Sequence, residues 1–510
     1  MNTIKLVTMV AASAFVVSAY SAEPAAKAFI SIDMAREKGA IKLMNAVNNG
    51  PTVKKPFDDQ KKGNFEEYKA LRIPYARTHD SINCVSGGAH TCDISAIFPN
   101  FDADETNPEN YDFVFTDHYL DSIVRAGTKV FFRLGQTIEH GPKKYGALPP
   151  KDYAKWARIC EHVIRHYNEG WGWGVDKAYT TRNIAFSNQF NIVYWEIWNE
   201  PDLDMVETGQ PRNPRCWGGT VTNFFEFYET AAKHLKSKFP NLKIGGPASV
   251  GNVRFADRFL KYCKDNSVPL DFYSWHIYSR TPEAIVTRAN KIREMMIKHG
   301  FENVESILNE WNYVKGWVDD WVYSLRVESG DLNLKGAAYI ASVMNHCQQA
   351  PIDLLMFYDA RVSSGMNNLF DRVTLWPKKG YYPFYAWSKL LDYGTQVTTS
   401  VMQYKGPLSK ANSGNVEKRD VSNAGQFSVV AAKSKSGKAG AALVTRYVDD
   451  DNVSDIAELT LKVNGIKITK ARCLMTDHVR TNTEMPLEVD SNGVVKFKML
   501  PYSFALIEFE

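Results

Sequence analysis

The feature that most constrains this chain is an eightfold alternation of short apolar runs and helical stretches between about residues 40 and 390. The runs are IKLMNAV, YARTH, KVFFRLG, NIVYWEIWN, LKIGGP, DFYSWHIY, ESILNEW and DLLMFYDA. Short apolar runs are typical of strands that are buried on both faces of a parallel sheet. Eight strand and helix alternations predict an α/β fold in which residues 41–390 form a (β/α)8 TIM barrel. A doubly wound open sheet is the alternative, but no glycine-rich dinucleotide turn follows the first run.

One intervening stretch shows the helical pattern clearly. In TNFFEFYETAAKHLKSKF, the apolar residues Phe224, Tyr228, Ala231 and Leu235 recur at intervals of four, three and four. This spacing predicts an amphipathic helix whose apolar side packs on the sheet. Thr222 is predicted to cap its start.

The pattern changes after about residue 390, where the helical periodicity stops. Six alternating segments follow, namely QFSVVAAKS, GAALVTRYV, AELTLKV, ARCLMTD, VVKFKML and SFALIEFE. Separated by polar turns, they predict an accessory C-terminal antiparallel β-sandwich over residues 391–510. The early segment KAFISIDM, within residues 23–40, is also strand-like and is expected to join that sandwich.

The first 22 residues have the composition of a cleaved signal peptide. Lys5 is followed by the apolar run from Leu6 to Val17 and then by small residues up to Ala22. The run is too short to span a bilayer as a helix, and no later segment approaches 18 consecutive apolar residues. We therefore expect a secreted or periplasmic protein without a membrane span.

Composition narrows the range of partners. The charges are balanced, with 61 basic and 57 acidic residues, and no basic run alternates with aromatics, so no nucleic-acid partner is expected. Aromatic residues make up 13% of the chain, which suits either a large core or a sugar-binding surface. The oligomeric state stays open.

The seven cysteines do not indicate a metal centre, because none of them form a CxxC pair. Cys84 and Cys92 flank a short loop and are predicted either to form a disulfide or to remain two buried thiols. His162 and His166 have a spacing that can bind metal, but the glutamate of an HExxH motif is missing, so a solvated helix face is favoured. No metal or other cofactor is expected.

The stretch VYWEIWNEPDL carries polar residues to the end of the fourth predicted strand. Active sites of (β/α)8 barrels lie at the carboxyl ends of the strands. Glu196, Trp198 and Glu200 share one parity and are predicted to point into the barrel, with Glu200 at its mouth. Asn199 lies beside them and offers both a donor and an acceptor, and Pro201 ends the strand.

A second carboxylate, Glu310, ends the seventh predicted strand in ESILNEWNY. Either Glu200 or Glu310 alone could be half of a structural ion pair. Together, at strand ends 4 and 7, they match the two carboxyl groups of a retaining glycosidase, which lie roughly 5–5.5 Å apart. One gives a proton to the leaving oxygen, and the other attacks the anomeric carbon.

WEIWNEPDL together with ILNEWNY resembles glycoside hydrolase family 39 of clan A, which contains β-xylosidases and α-L-iduronidases. The segments YARTHD, LKIGGPA and DFYSWHIYS strengthen the likeness, which runs from about residue 40 to the C-terminus. The Asn-Glu-Pro motif is shared by the whole clan, whereas the set of five segments points to this family. The resemblance also implies a barrel with a β-sandwich beside it.

Carried onto this sequence, the resemblance implies that Glu200 is the acid/base and Glu310 the nucleophile. It implies that Asn199 binds the hydroxyl next to the anomeric carbon. His276 and Tyr278, which alternate on the sixth strand, would reach the nucleophile and the sugar.

Three further residues are predicted to bind the substrate. Arg77 would keep Glu310 ionised, since a nearby cation lowers a carboxyl pKa, or would instead pair with Glu196. His79 is expected to touch sugar hydroxyls, or else to be a core histidine. Trp311, beside the nucleophile, completes the predicted substrate-binding set.

The sequence thus predicts an exported retaining glycoside hydrolase that acts on plant or algal oligosaccharides or polysaccharides. A β-xylosidase-like or related exo-glycosidase is the main hypothesis. An endo-glycanase of the same clan, or a carbohydrate-binding protein on an inactive scaffold, are the alternatives. Tyr358 and Asp359 in LLMFYDAR stand where many family members have Trp, and the sugar, anomer and linkage stay open.

Overall fold

The computed structural model describes residues 26–52, 63–79, 90–173, 190–405, 416–419 and 423–510. The predicted signal peptide, residues 1–22, lies outside these ranges. Cys84 lies outside them as well, so the Cys84–Cys92 disulfide stays a prediction. The five remaining cysteines, at positions 160, 216, 263, 347 and 473, are buried free thiols.

A closed barrel of eight parallel strands forms the larger part of the molecule. Strand β1 (Ala26–Ala40) precedes it. The barrel strands follow as β2 (Leu43–Asn48), β3 (Tyr75–Arg77), β4 (Lys129–Leu134), β5 (Tyr194–Ile197), β6 (Lys243–Ser249), β7 (Phe272–Ser279), β8 (Glu305–Tyr313) and β9 (Leu354–Phe357). Pairing of β2 with β9 closes the barrel. Each predicted apolar run overlaps one barrel strand, which confirms the (β/α)8 fold.

Helices cover the outside of the barrel. In the described part of the chain they are α1 (Phe65–Ala70), α2 (Ile94–Ile97), α3 (Val114–Arg125), α4 (Tyr153–Glu169), α5 (Val221–Lys238), α6 (Val253–Asp265), α7 (Pro282–Lys298), α8 (Trp321–Glu328), α9 (Asn333–Gln349) and α10 (Tyr381–Tyr393). Short 3-10 helices occur at Pro108–Asn110 and Pro201–Leu203. Across the described ranges, no helix combines the length and the apolarity that crossing a membrane would require.

Two local predictions about the helices need correction. The predicted stripe of α5 is buried, but Thr220 rather than Thr222 caps the helix, because the helix begins two residues earlier than expected. The Thr220 side chain accepts a hydrogen bond from the Asn223 N–H at 3.1 Å. His166 of α4 does not lie on a solvated face. Its ring is buried and stacks on Phe113 with a centroid distance of 3.6 Å.

The lower part of the barrel is filled by side chains. Seven buried residues from six strands form this layer, namely Ala46, Phe131, Tyr194, Phe272, Ile307, Leu354 and Met356. Aromatic and aliphatic side chains in such a layer exclude water and make the barrel a packed core rather than a pore. The barrel is therefore closed below the carboxyl ends of its strands.

The remaining strands form a second sheet. They are β10 (Thr395–Lys405), β11 (Val416–Arg419), β12 (Asn423–Ala424), β13 (Phe427–Lys433), β14 (Gly440–Arg446), β15 (Ala457–Asn464), β16 (Ala471–Thr476), β17 (Thr483–Leu487), β18 (Val494–Met499) and β19 (Ser503–Phe509). The main order is β17-β16-β19-β14-β13-β10-β1-β15-β18. Strand β1 lies inside this sheet, antiparallel to β10 and parallel to β15. All other pairings are antiparallel.

The sheet rolls around its own core. Val489, just after β17, bridges Val495 of β18, so the two ends of the strand order meet. One face of the sheet encloses an apolar core to which Ile30, Val444 and Leu461 belong. The opposite face carries residues such as Leu443, which packs into the large core shared with the barrel helices.

A charge cluster around the buried ammonium of Lys335 joins this sheet to the barrel, and we call it the interface cluster. It consists of Lys335, Asp449, Asp451, Tyr313 and Tyr323. The Lys335 ammonium lies 2.7 Å from Asp449 Oδ1 and 2.8 Å from Asp451 Oδ1, and it donates to Tyr323 at 2.8 Å. Burial alone would lower the pKa of Lys335, but hydrogen bonds to the two carboxylates outweigh it and raise that pKa above its usual range.

Candidate active site

Arg77, the last residue of β3, organises the mouth of the barrel from below. Its guanidinium is fully buried and donates to Glu196 Oε2 at 2.7 Å, to Glu310 Oε2 at 3.2 Å and to Asn199 Oδ1 at 2.7 Å. A fourth contact, of 3.1 Å, goes to Asn48 Oδ1. Arg77 therefore contacts both carboxyls named in its two predicted roles, because a guanidinium has enough donors for two carboxylates.

The backbone after β5 positions Glu200. The strand ends at Ile197, and Trp198 and Glu200 both adopt left-handed backbone conformations, with φ of 77° and 47°. Such conformations are costly for residues with side chains and cluster at functional sites. The Glu200 N–H donates to Ala248 O at 2.8 Å, which fixes this turn against β6.

The same turn reverses the direction of Trp198. The sequence predicts that Trp198 points into the barrel, but its indole lies in the helix layer, 5.2 Å from the rings of Trp217 and Phe227. The prediction fails because the alternation of a strand does not continue through a residue with positive φ.

Strand β8 brings Glu310 inward through an irregularity. Pairing with β7 matches Trp275 to Leu308 and His276 to Glu310, so Asn309 is an extra residue on β8. A β-bulge of this kind redirects side chains, and Asn309 and Glu310 both face the barrel interior. Asn309 Nδ2 donates to Glu196 Oε1 at 2.5 Å.

Trp311, in contrast, is not brought to the site. Its fully buried ring contacts Phe357 at 5.3 Å and Tyr339 of α9 at 6.1 Å. These contacts place it between the sheet and the helices. This position contradicts its prediction as a substrate-binding residue, since the bulge turns Glu310 inward and the next side chain outward.

The Glu310 carboxyl is held from several sides. The Tyr278 hydroxyl donates to Oε1 at 2.6 Å, and His79 Nε2 lies 3.4 Å from Oε2. Burial raises the pKa of Glu310 above its ordinary value, and the charge of Glu200 adds to this, while His276, Arg77 and Tyr278 oppose it. The site therefore binds protons more readily than exposed carboxylates would.

His276 connects the two carboxyls. Its Nδ1 lies 2.8 Å from Glu200 Oε1 and 3.5 Å from Glu310 Oε2. Burial lowers the pKa of His276 to about 4, although Glu310 opposes the shift. The ring is consequently neutral near pH 7 and contributes hydrogen bonds rather than a full charge.

The distance between the carboxyls fits one type of chemistry. A ligand atom from each of Glu200, His276 and Glu310 lies within 4.8 Å of the other two. Retaining glycosidases hold their carboxyl groups about 5–5.5 Å apart, whereas inverting enzymes need about 6.5–9.5 Å. These three donors could also surround a cation, but the permanent charge of Arg77 already occupies Glu310 Oε2 and disfavours one. We use the name mouth cluster for Arg77, Glu196, Asn199, Glu200, His276, Tyr278 and Glu310.

Two residues near the mouth cluster are not in the predicted set. Tyr358, directly after β9, makes edge contacts with His79 at 5.4 Å and with Tyr278 at 6.5 Å. Its place at a strand end is the signal that could have identified it. Asp202 accepts a hydrogen bond from the Val250 N–H at 2.9 Å, and burial, with a smaller contribution from Glu200, raises its pKa to about 7.

The fold and the site define a class of protein, the (β/α)8 barrels with a carboxyl pair at the mouth. A family model described as glycosyl hydrolases family 39 matches residues 30–355. The chain therefore belongs to glycosyl hydrolase family 39, as the sequence motifs predict.

Curated relatives support this membership over part of their length. A protein named beta-xylosidase from Caldicellulosiruptor saccharolyticus is 28% identical over 236 residues, or 45% of this chain and 41% of the relative. A second beta-xylosidase, from Geobacillus stearothermophilus, is 28% identical over 204 residues, covering 38% and 36%. The chain thus matches about two fifths of the length of these relatives.

Solved structures share the complete architecture. A glucosidase from Croceicoccus marinus superposes with a TM-score of 0.67 at 19% identity, covering 95% of this chain and 99% of that one. An α-L-arabinofuranosidase from Thermotoga maritima gives 0.65 at 15% identity, covering 94% and 99%. At these identities the likeness establishes the barrel with its accessory sheet.

Proposed function

We propose that this protein is a retaining glycoside hydrolase in which Glu310 is the nucleophile and Glu200 the acid/base. The observation that carries the proposal is the close approach of these two carboxyls at the mouth of the barrel, within 4.8 Å. This distance leaves no room for a water molecule between a carboxylate and the sugar, so direct attack by the carboxylate is favoured.

The contacts of each carboxyl suit its role. Two carboxyls this close share a proton rather than both ionising. Glu310 accepts hydrogen bonds from Arg77 and Tyr278, which stabilise its negative charge. The proton is therefore held on the Glu200 side, where it can pass to the leaving oxygen.

In the first step, Glu310 attacks the anomeric carbon as the bond to the leaving oxygen breaks. Glu200 gives its proton to that oxygen, and a glycosyl ester forms on Glu310. In the second step, Glu200 takes a proton from water, which attacks the same carbon and releases Glu310. Two inversions leave the anomeric configuration unchanged.

Asn199 is poised to bind the sugar. Its Oδ1 accepts from Arg77, which turns Nδ2 away from the guanidinium. Among the residues that the structure describes, that buried Nδ2 has no hydrogen-bond partner. An unpaired buried donor is costly, so a sugar hydroxyl that accepts from it would gain binding energy. Such a bond strengthens as the oxocarbenium-like transition state develops.

The proposed substrate class rests on the relatives. Because these relatives are named beta-xylosidase, removal of a terminal sugar is proposed in preference to cleavage within a chain. The relatives named beta-xylosidase make a xyloside the first candidate. We further propose that the protein is exported by its N-terminal signal peptide and acts on plant or algal oligosaccharides. An endo-glycanase is the second candidate and would require an open cleft.

A panel of aryl glycosides tests the activity. We expect hydrolysis of the xyloside, the arabinofuranoside or the glucoside, and proton NMR of the first product should show the same anomer as the substrate. Glu310→Gln and Glu200→Gln serve as matched inactive controls. An inverted first product would contradict the retaining mechanism. Absence of hydrolysis across the panel, with sugar binding intact, would support a binding protein instead.

A further inference from the structure

The loop after β8 carries an exposed aromatic pair next to the mouth cluster. Its sequence is KGWVDDWV, and the Trp317 side chain is 57% exposed. One face of Trp317 stacks on Trp321, with a centroid distance of 5.3 Å and an interplanar angle of 23°. Its ring also makes an edge contact of 5.0 Å with Tyr278. Tyr278 itself touches the nucleophile, so Trp317 lies one side chain away from the reacting carboxyl.

Exposure increases along this line of side chains. Glu310 is 4% exposed, Tyr278 is half-buried and Trp317 is mainly exposed. In the proposed function a terminal sugar is removed, so the sugar whose anomeric carbon reaches Glu310 carries no further ring on its own side of the cleaved bond. The ring that reaches Trp317 therefore belongs to the leaving group.

We propose that Trp317 forms the platform of a second subsite, which binds the sugar ring on the leaving-group side of the cleaved bond. The inference rests on the proposed function and specifies its substrate class as a disaccharide or oligosaccharide. The C–H face of a pyranose is apolar and packs on the electron-rich face of an indole. Contacts with Trp321 and Tyr278 already hold the ring, so binding costs little side-chain entropy.

The surroundings of Trp317 suit a sugar. Val318 is 85% and Val322 70% exposed, so the indole lies in an exposed apolar patch. Continuity with Tyr278 connects this patch to the catalytic groups. An apolar platform beside polar groups is the usual composition of a small-ligand site.

The test compares two substrates in three variants. Xylobiose places a second ring on Trp317, whereas β-xylosyl fluoride has a leaving group with no ring. If the aryl glycoside panel identifies another sugar, the disaccharide and the glycosyl fluoride of that sugar replace these two substrates. In Trp317→Ala, kcat/KM for the disaccharide should fall at least about tenfold more than for the fluoride, and mainly through KM. Trp317→Phe should recover most of the loss, because it restores an aromatic face.

Ile297→Ala is the matched control. Ile297 is also 57% exposed, but it lies near the end of α7, at the opposite end of the barrel, and should leave the ratio unchanged. Equal losses on both substrates, or no loss on either, would overturn the subsite. If the wild type cleaves neither substrate, the proposed function fails, and the subsite is tested by binding alone. Calorimetry then compares the affinities of the wild type and of Trp317→Ala for xylobiose and for xylose. A Trp317→Ala variant that keeps the wild-type preference for xylobiose would refute the subsite.

Discussion

The mouth cluster and the interface cluster both surround one buried cation with carboxylates, but they differ in exposure and in charge balance. In the interface cluster, Lys335 is paired with the buried Asp449 and with Asp451, whose side chain is 51% exposed, and it donates to the Tyr323 hydroxyl. In the mouth cluster, Arg77 faces three buried glutamates, of which it contacts Glu196 and Glu310 directly. Carboxyls outnumber the cation in both clusters, by one in the interface cluster and by two in the mouth cluster.

The difference appears in the direction of the pKa shifts. Burial opposes the charge of Asp451, but its hydrogen bonds with Lys335 and Tyr323 lower its pKa below the ordinary value. In the mouth cluster, burial raises the pKa of Glu310. Hydrogen bonds from a cation favour the charged form of Asp451, whereas two buried carboxyls as close as Glu200 and Glu310 share one proton, which the proposed mechanism places on Glu200. Comparison of the two clusters thus separates charges that hold the fold together from charges that react.

The largest expected effect breaks the mouth cluster at the nucleophile. Glu310→Ala should lower turnover by several orders of magnitude, because no covalent intermediate can form. Added azide should restore part of the activity and give a glycosyl azide of inverted configuration. Glu305→Ala, at the other end of β8, is the control and should keep its turnover. Full activity of purified Glu310→Ala would remove Glu310 from the mechanism.

Removal of the acid should depend on the leaving group. In Glu200→Ala, dinitrophenyl glycosides should still react quickly in the first step, whereas natural glycosides should slow by about 10²–10⁴-fold, since alkoxides need a proton. A burst of dinitrophenol followed by slow turnover should appear in stopped-flow measurements. Azide should speed the slow phase and give a product of retained configuration. Equal slowing of good and poor leaving groups would show that Glu200 only binds or supports the site.

The matching change in the interface cluster should affect stability instead. Lys335→Met leaves the buried Asp449 carboxylate without its nearest cation, which costs about 3 kcal/mol of unfolding free energy, whereas the half-exposed Asp451 is solvated by water. Activity per folded molecule should stay close to wild type, because Lys335 does not contact the mouth cluster. Urea unfolding with Lys151→Met as the control measures the difference, since the Lys151–Asp102 pair is 73% and 75% exposed and lies outside the interface cluster. Equal stability of the two variants would mean that the interface cluster does not hold the sheet to the barrel.

The smallest effect concerns Asp202, behind the acid. Its folded pKa of about 7 lies above the ordinary value of 3.8, so the folded protein keeps a proton that the unfolded chain releases. Stability should therefore fall as pH rises from about 4 to about 7. Asp202→Asn removes this dependence and still accepts from Val250. The melting temperature of Asp202→Asn minus that of the wild type should increase as pH rises from about 4 to about 7. A difference that stays constant over this range would contradict the raised pKa of Asp202.

Periodicity predicts the barrel well because it is a repeated signal. Each of the eight barrel strands overlaps one predicted apolar run, and each of the six predicted sheet segments overlaps one strand. Strands β10, β11, β12 and β17 were not predicted. Strand β10 follows α10 with only one residue between them, and β17 is short and largely exposed, so neither shows a clean alternation of apolar residues.

Site residues were predictable where the residue type at a strand end determines the role. They were not predictable where the local backbone geometry determines the direction of the side chain. The two glutamates and Arg77 lie together because strand ends meet at one face of the barrel. Trp198 and Trp311 were misplaced, since a left-handed turn and a β-bulge interrupt the alternation that sequence reasoning assumes. Tyr358 was overlooked as a neighbour of His79, because the pattern does not give distances between separate strands.

The position of β1 sets an order of events during synthesis. This strand pairs with β10 and β15, which come after all of the barrel strands in the sequence. As the chain leaves the ribosome, the residues of β1 must wait until both partners have been made. The barrel can form while its companion sheet still lacks a central strand. Segments that remain unpaired for this long are natural targets for chaperones, so β1 should be the part of the nascent chain that most needs protection.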